Sequence, residues 1–590
     1  MKTLIIGGVA GGATAAARLR RLDEKAEIII FERGEYISFA NCGLPYYIGG
    51  VIEEREMLLV QSPEKMKANY NIDVRLKQEV VSLNRDEKKV RVEDLRTEAT
   101  YEESYDYIIL SPGANPIRPP IPGIENPGIF TLRNMADVDA IKGYIDNCTP
   151  EKAVVIGGGF IGIEMAENLH YLGMNVAIVE MIDQLIAPLD YEMASLVHGH
   201  ILSKGVHLYL KDGVQAFEDN DGSLEAVLAS GKRIPADLVI MAVGVKPEVG
   251  LAKEAGLQLG DRGGIKVDES FRTSDPHIFA IGDAVEVKDL VGGESTLIPL
   301  AGPANKQGRI AANNIAGIEE KYKGTQGTAI AKVFDLTVAA TGNNEKGLQR
   351  RETQYLSTIT QSKSHAGYYP GALPMTMKLL YASSGAILGA QIVGYNGVDK
   401  RIDVLAAVIR FNKSVYDLQE LELAYAPPYS SAKDPVNIAG FVAANHLSGQ
   451  LAVAHWHELE QTNSLILDVG TAEEREISSI EGSVHIPLGE LRNRLNELPR
   501  DKEIIIYCQI GLRAYIASCI LKQKGFSAVR VLSGGIKHYQ ATRQAQNNLD
   551  NQDYEYDSHK TEPQDLLRQE IYSNETGDKN PDRAQPGEIL

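Results

Sequence analysis

Short apolar runs, each followed by a glycine-rich turn and then an amphipathic stretch, recur along the chain and set its architecture. Leu4-Ile5-Ile6 predicts a buried strand, Gly7 to Gly12 a flexible turn and Ala13 to Leu22 a helix, and a second strand, Glu27 to Phe31, leads into Glu32. The same order returns at Ala153-Val-Val-Ile156, Gly157 to Gly162 and the strand Asn175 to Val179, which ends in Glu180. From about Leu451 another such unit begins, with strands Leu465-Ile-Leu467 and Glu503 to Tyr507 and a helix from Ala514 to Lys524 closed by Gly525. The strands are apolar throughout rather than alternating, the pattern of parallel sheets covered on both faces, so the fold class is α/β. Residues 546–590, rich in Asp, Asn, Glu and Gln, lack an apolar period and predict a disordered tail with at most a short helix near Pro563 to Tyr572.

A chain of 590 residues exceeds what one core serves and predicts about three to five domains. The net charge of −19 opposes binding of the chain as a whole to a phosphate backbone, which argues against nucleic acid as a partner and leaves room for a local basic pocket for a phosphorylated small molecule. Four cysteines in so long a chain do not make a disulfide framework, and two of them fall in reactive-looking motifs, which points to a reducing, cytoplasmic compartment. Glycines interrupt the apolar start, so it reads as strand, turn and helix rather than a signal peptide. No apolar run of about 18 residues predicts a membrane span. No metal site is assigned.

Both glycine turns lie between a strand and a helix, so their amides can face a pyrophosphate at the helix N-terminus. Gly7, Gly8, Gly11 and Gly12 make the first turn, with Val9 where the usual fingerprint has its middle glycine and Ala10 next to it. Gly157, Gly159 and Gly162 make a full GxGxxG. Glu32 and Glu180 stand at the spacing of an acid that accepts from a ribose hydroxyl, about 20 residues beyond the loop. An acid at 180 followed by Met181, with no cation in its place, favours NADH over NADPH. One such loop is weak evidence, but two in the same context with suitably spaced acids predict two bound dinucleotides.

Cys42 lies in Ser38-Phe-Ala-Asn-Cys-Gly-Leu-Pro45, just past the first unit, and the next cysteine is Cys148. A solitary thiol there suits electron transfer to sulfur through a mixed disulfide with a small thiol or an oxidised sulfur species. Cys148, in a loop, and Cys519, within a helix, read as structural or incidental.

These features resemble the two-dinucleotide flavoprotein disulfide reductases, whose first loop holds FAD and second NAD(P)H. Ser111-Pro-Gly113-Ala114 is similar to the family's crossover segment, and Thr273 to Asp283 to its second FAD motif, which places Asp283 toward the ribityl-phosphate region. The resemblance puts Phe160 at the position that gates the flavin and Glu164 close to the nicotinamide. On residues alone, helix packing and a solvated helix face account for those two equally well. The segment around Cys42 resembles the single-cysteine branch, which includes coenzyme A disulfide reductases and NADH peroxidases or oxidases. Peroxidase-type members carry a histidine where this chain has Ala10.

Two tyrosine motifs, His365 to Gly371 and Ala424 to Ser430, are similar to those of the coenzyme A branch. The resemblance implies a homodimer in which Tyr368 and Tyr425 come from the neighbouring subunit, where a phenol can donate to a leaving thiolate. Without it both read as core or interface residues. Arg18, Arg21 and Arg309, with Ser38 and Asn41 beside the thiol, resemble contacts for the anionic coenzyme A, although each arginine alone reads as a solvated helix face.

Cys508-Gln-Ile-Gly-Leu-Arg513 precedes a helix, so Cys508 opens a ring of backbone N–H groups toward which the helix dipole points. That geometry lowers a thiol pKa and can hold a terminal S–S⁻ anion. With Gly482 to Leu488 and Leu532 to Gly535 the unit resembles a rhodanese domain, although Ile536 departs from the aromatic often found there.

The resulting division is an FAD-binding domain at 1–110 and 250–323, an NAD(H)-binding domain at 111–249, an α+β dimerisation domain at 324–446 and a rhodanese domain at 451–545. Asn445 to Gln450 is expected to be a hinge before the last of these. The resemblance as a whole implies an NADH-dependent reductase of persulfides, polysulfides or coenzyme A disulfide, with FAD and coenzyme A bound. Two alternatives stand beside it: an NADH oxidase or peroxidase with an accessory rhodanese domain, and a flavin-bound redox sensor without turnover.

Overall fold

The computed structural model describes residues 1–220, 223–460 and 462–550. Lys2–Ile6 lies at the centre of five parallel strands, flanked by Glu27–Glu32 and Asp73–Leu76 on one side and by Tyr107–Leu110 and Ile278–Ala280 on the other. The register runs from Lys2 opposite Glu27 to Ile6 opposite Phe31. Ile278–Ala280 joins this sheet from far along the chain, so a second α/β unit is inserted between its strands. In that unit the order is His207–Leu210, Asn175–Glu180, Lys152–Ile156, Leu238–Met241 and Ile129–Phe130, again parallel. The chain crosses between the two units at Ala114–Pro116 and returns at Val245–Pro247, and these two short strands pair antiparallel.

An antiparallel five-stranded sheet follows, in the order Ala329–Val333, Leu336–Gly342, Ile387–Gly394, Pro374–Tyr381 and Leu356–Lys363, with helices Val398–Arg410 and Pro435–Leu447 packed against its core. The last unit is parallel, with Ile504–Tyr507 between Val529–Leu532 and Leu465–Asp468. The four sheet strands predicted for the two glycine units are covered on both faces, as their uninterrupted apolar runs require. No described helix is long and apolar enough to cross a membrane.

Several expectations change in detail. The first helix spans Ala10–Leu22 rather than starting at Ala13, because Val9 serves as its N-cap and the last glycines form its first turn. The helix after Cys508 begins at Leu512. Cys148 is the last residue of helix Met135–Cys148, not a loop residue. The expected hinge is short and braced: Asn445 to Leu447 are helical, and Lys522 Nζ donates to the carbonyls of Gly449 at 3.2 Å and Gln450 at 3.0 Å. The final helix continues through Asp550, past the predicted tail boundary, while the helix expected near Pro563 to Tyr572 lies outside the described residues.

The last three units meet at a buried charge cluster. Lys378, 0% exposed on strand Pro374–Tyr381, contacts Asp190 at 2.8 Å, Glu345 at 2.9 Å and Glu192. His538, from the final helix, is buried beside Glu192 and Lys378, and burial holds it near pKa 4. Close by, Ile359 N–H donates to Ser533 Oγ at 2.8 Å, which ties the antiparallel sheet to the Ser-Gly-Gly turn of the last unit.

Candidate active sites

The two glycine loops are built alike. Gly7 and Gly157 have φ of +98° and +108°, and a Cβ on either would lie 2.1 Å from Ser111 O or 2.3 Å from Ala242 O. Gly12 and Gly162 bring the helix over the loop, where an added Cβ would meet the Gly7 or Gly157 carbonyl oxygen at 1.9 or 2.0 Å. Glu32 accepts from Gly8 N–H at 3.0 Å and Gly34 N–H at 2.8 Å, and Glu180 accepts from Gly158 N–H at 2.8 Å and Ile182 N–H at 3.1 Å. Two backbone donors therefore hold each carboxylate at its strand end. Val9 stands in the first loop with a negative φ, −92°, so this position does not call for the left-handed backbone that favours glycine. The equivalent N-cap, Gly159, has nothing within 4 Å of an added Cβ, which is the open room a pyrophosphate needs.

Gly11 faces Gly308 on helix Ala301–Ile315, where a Cβ on Gly308 would lie 2.4 Å from Gly11 O, so the two helices cross in contact. Ala10 opens the first helix. Ser111 receives the chain from the first sheet by donating its N–H to Ile6 O at 2.8 Å, and Gly113 follows with a positive φ. Asp283 sits in the turn Gly282–Ala284, and burial pushes its carboxyl up to about 6 against the Arg133 charge. Such an acid suits a neutral hydroxyl partner. Arg133 drew no attention in the sequence; it donates to Pro112 O at 3.2 Å beside the crossover segment.

Cys42 stands in the turn Asn41–Gly43, directly ahead of helix Leu44–Ile48. It opens onto solvent, yet the protein around it raises the thiol, first by partial burial and then by the charges of Glu164 and Asp283. Thus the structure brings one predicted acid from each dinucleotide unit into electrostatic reach of the predicted thiol. Glu164, on helix Phe160–Tyr171, is pushed up to about 7 by burial and the Glu167 charge, against a hydrogen bond from Tyr46 Oη at 3.5 Å. Phe160 is the first residue of that helix, half-buried. Ser38, φ +46°, holds a left-handed conformation beside the thiol segment and donates its N–H to Gly8 O at 2.9 Å.

Arg18 and Arg21 occur at helical spacing on the first helix, and Arg18 Nε donates to Asn313 Oδ1 at 2.8 Å on helix Ala301–Ile315. Arg309 lies exposed on the latter helix, and Asn41 is exposed beside Cys42. By contrast Arg20, between the two candidates, is buried in five backbone carbonyls and is structural. Tyr368 and Tyr425 are 61% and 47% exposed and hydrogen-bond to each other at 2.7 Å.

In the last unit Cys508 directly follows strand Ile504–Tyr507, is buried, and its sulfur accepts from Gly511 N–H at 3.2 Å. Arg513 pairs with Glu474 at 2.7 Å; burial opposes its charge, but Glu474 and Cys508 outweigh it and raise the guanidinium. Ile536 N–H donates to Cys508 O at 2.9 Å, so the unexpected aliphatic residue still closes the loop. Glu474 was not anticipated, and a capping box at Thr471 was its only sequence signal. Ile510 and Leu512 in this loop, and Ile516 on the helix that follows, are exposed apolar side chains.

Residues 1–308 match the family described as pyridine nucleotide-disulphide oxidoreductase, residues 328–435 its dimerisation domain, and residues 452–542 a rhodanese-like domain. The crystal structure of reduced Bacillus anthracis CoADR-RHD is 54% identical, covering 92% of this chain and 98% of its own, with a TM-score of 0.90. A NAD-dependent persulfide reductase from A. fulgidus is 42% identical, covering 91% and 100%, with a TM-score of 0.87. Without the last unit, the coenzyme A disulfide reductase of Staphylococcus haemolyticus is 36% identical over 75% of this chain and 99% of its own. An NADH oxidase of Methanocaldococcus jannaschii is 34% identical over 76% and 100%.

Proposed function

The chain belongs to the pyridine nucleotide-disulphide oxidoreductase family, and from that premise we propose that it reduces persulfides, polysulfides or coenzyme A disulfide with NADH through a mixed disulfide at Cys42. Membership implies FAD and NAD(P)H. Bound FAD would supply the path by which two electrons pass from the nicotinamide to sulfur. In this reading the Gly7–Gly12 loop, Glu32, Ser111, Gly113 and Asp283 hold FAD. The Gly157–Gly162 loop, Phe160, Glu164 and Glu180 hold NADH. The observation that carries the reading is the solitary, solvent-open Cys42 in the turn Asn41–Gly43, within electrostatic reach of an acid from each dinucleotide unit.

The domains would be 1–110 with 250–323 for FAD, 111–249 for NADH, 324–446 for the subunit interface and 451–545 for sulfane sulfur. Cys508 receives sulfane sulfur in its ring of amides and presents it as a persulfide, with Arg513 balancing the charge. Arg18, Arg21, Arg309, Ser38 and Asn41 bind coenzyme A beside Cys42. The exposed, mutually hydrogen-bonded Tyr368 and Tyr425 fit a pair offered to a second subunit, where they hydrogen-bond around the sulfur site.

Replacing Cys42 with Ser should abolish NADH-driven sulfide release. Replacing Cys508 with Ser should spare turnover of coenzyme A disulfide while removing sulfur transfer to cyanide. Full sulfide production by the Cys42 variant contradicts the proposal. The archaeal relative favours a second reading, reduction of oxygen; oxygen consumption faster than persulfide turnover supports it.

A further inference from the structure

Tyr46 is the side chain near Cys42 that neither the sequence motifs nor the proposed roles use. It follows Cys42 by four residues across the continuous turn and helix Asn41–Gly43 and Leu44–Ile48, the spacing that puts two side chains on one face. Its hydroxyl lies 3.5 Å from Glu164 Oε1. The segment cannot drift from the helix that carries Glu164. A Cβ on Gly49 would lie 2.2 Å from Asn168 Oδ1, and Asn168 Nδ2 donates to Glu164 O at 2.7 Å. The pair thus bridges the helix after the thiol to the helix after the second glycine loop.

The charges that act on Cys42, Tyr46 and Glu164 are all negative. Glu164 and Asp283 face Cys42, Glu167 faces Tyr46 and Glu164 from one turn further along the same helix, and Lys332 is taken up by Glu167. No cation acts on Cys42 among these groups, so a second anion beside the thiolate must be neutralised by a proton. Burial and the Glu164 and Glu167 charges push Tyr46 up to about 12, so it remains a neutral hydroxyl able to pass a proton.

Resting on the proposed reduction at Cys42, we infer that Glu164 stores the proton that the leaving sulfur needs, and that Tyr46 hands it across. The Cys42 thiolate attacks R–S–S–R′, the S–S bond breaks, Cys42–S–S–R forms and R′–S⁻ departs with the electron pair. The Tyr46 O–H passes its proton to R′–S⁻ and takes the proton of the Glu164 carboxyl, leaving R′–SH and a Glu164 carboxylate. Reduction of Cys42–S–S–R by two electrons from the nicotinamide and one proton regenerates the thiolate and gives R–SH. The second proton recharges Glu164 from solvent.

A leaving thiol that is already a weak base needs no proton, and this separates a proton path from a structural role. Turnover of an alkyl disulfide, coenzyme A disulfide, is compared with that of an aromatic one, 5,5′-dithiobis(2-nitrobenzoate), in the holoenzyme. In both Tyr46→Phe and Glu164→Gln the alkyl-to-aromatic ratio of turnover should fall about 100-fold, the scale of a lost general acid. Any effect on NADH binding enters both rates and cancels. In the wild type the alkyl rate should fall as pH rises through about 7, where Glu164 gives up its proton, and Glu164→Gln should lose that fall. A second readout needs no turnover. After reduction, Cys42 in Glu164→Gln should alkylate several-fold faster near neutral pH, as read by the mass of its peptide. Unchanged ratios in both variants, or an unchanged alkylation profile, overturn the proton store while leaving the disulfide reductase reading intact. A wild type inert toward both disulfides sinks that reading, and this inference with it.

Discussion

Glu180 should decide the choice between the two nicotinamide dinucleotides. Its carboxylate is clamped by Gly158 N–H at 2.8 Å and Ile182 N–H at 3.1 Å, so it cannot swing away from an approaching anion. The adjacent Met181 is exposed and offers no counter-charge. Two unit charges about 4 Å apart repel by about 1 kcal/mol in water and about 4 kcal/mol at a protein surface. A 2′-phosphate at the ribose should therefore cost NADPH roughly 1 to 4 kcal/mol, or about 5- to 1000-fold in kcat/KM. Glu180→Gln keeps an oxygen for the Gly158 amide and removes the charge, so the NADH-to-NADPH ratio of kcat/KM should fall by about fivefold or more. Adding Met181→Arg should carry it further. The assay is steady-state reduction of one disulfide with each dinucleotide. A wild type that prefers NADPH, or a ratio that Glu180→Gln does not move, refutes the reasoning.

Other outcomes follow from the same geometry. Gly159→Ala places its Cβ in open space, so the protein should fold and retain flavin colour while its KM for NADH rises. Gly12→Ala forces a contact at 1.9 Å with Gly7 O and should yield protein without flavin, read from the visible spectrum. Lys378→Met leaves buried carboxylates without their cation and should cost about 3 to 5 kcal/mol, followed in urea by the fluorescence of Trp456, the sole tryptophan. Burial opposes the charge on Glu192, but Lys378 outweighs it and holds the carboxyl near 2, below the 4.5 of an unfolded chain. Stability from this pair is therefore full above pH 4.5 and lost as pH falls toward 2, and Lys378→Met should flatten that acid limb. Arg513→Gln should weaken sulfur transfer to cyanide without altering coenzyme A disulfide turnover, since its partners Glu474 and Cys508 both lie in the last unit.

The fold was legible wherever a local pattern is tied to a backbone requirement. Gly7, Gly12, Gly157 and Gly162 are demanded by contacts within their own loops, so strand, turn and helix could be read from a few residues. The acids at 32 and 180 were legible because the parallel strand pairing fixes their distance from the loops. What could not be read depends on distant chain segments meeting. Tyr46 and Glu164 are 118 residues apart, and the packing of Gly49 on Asn168, with Leu44 and Ile48 in one core with Ile163 and Ala166, brings them together. Lys378 reads in sequence as one charge within a strand and becomes the centre of a buried cluster only when the antiparallel sheet packs on the second α/β unit. The braced connection at 445–450 was missed for the same reason, because its partner Lys522 comes from a later helix.

The central claim is that electrons from the nicotinamide reach sulfur through Cys42. Its most direct test is a single turnover without oxygen: flavin-loaded protein carrying a coenzyme A mixed disulfide receives one equivalent of NADH, is quenched with an alkylating agent and is digested. One coenzyme A thiol should be released per NADH oxidised, and the Cys42 peptide should change from the adduct mass to the alkylated mass. Stoichiometric NADH oxidation with the Cys42 adduct still in place would contradict the account.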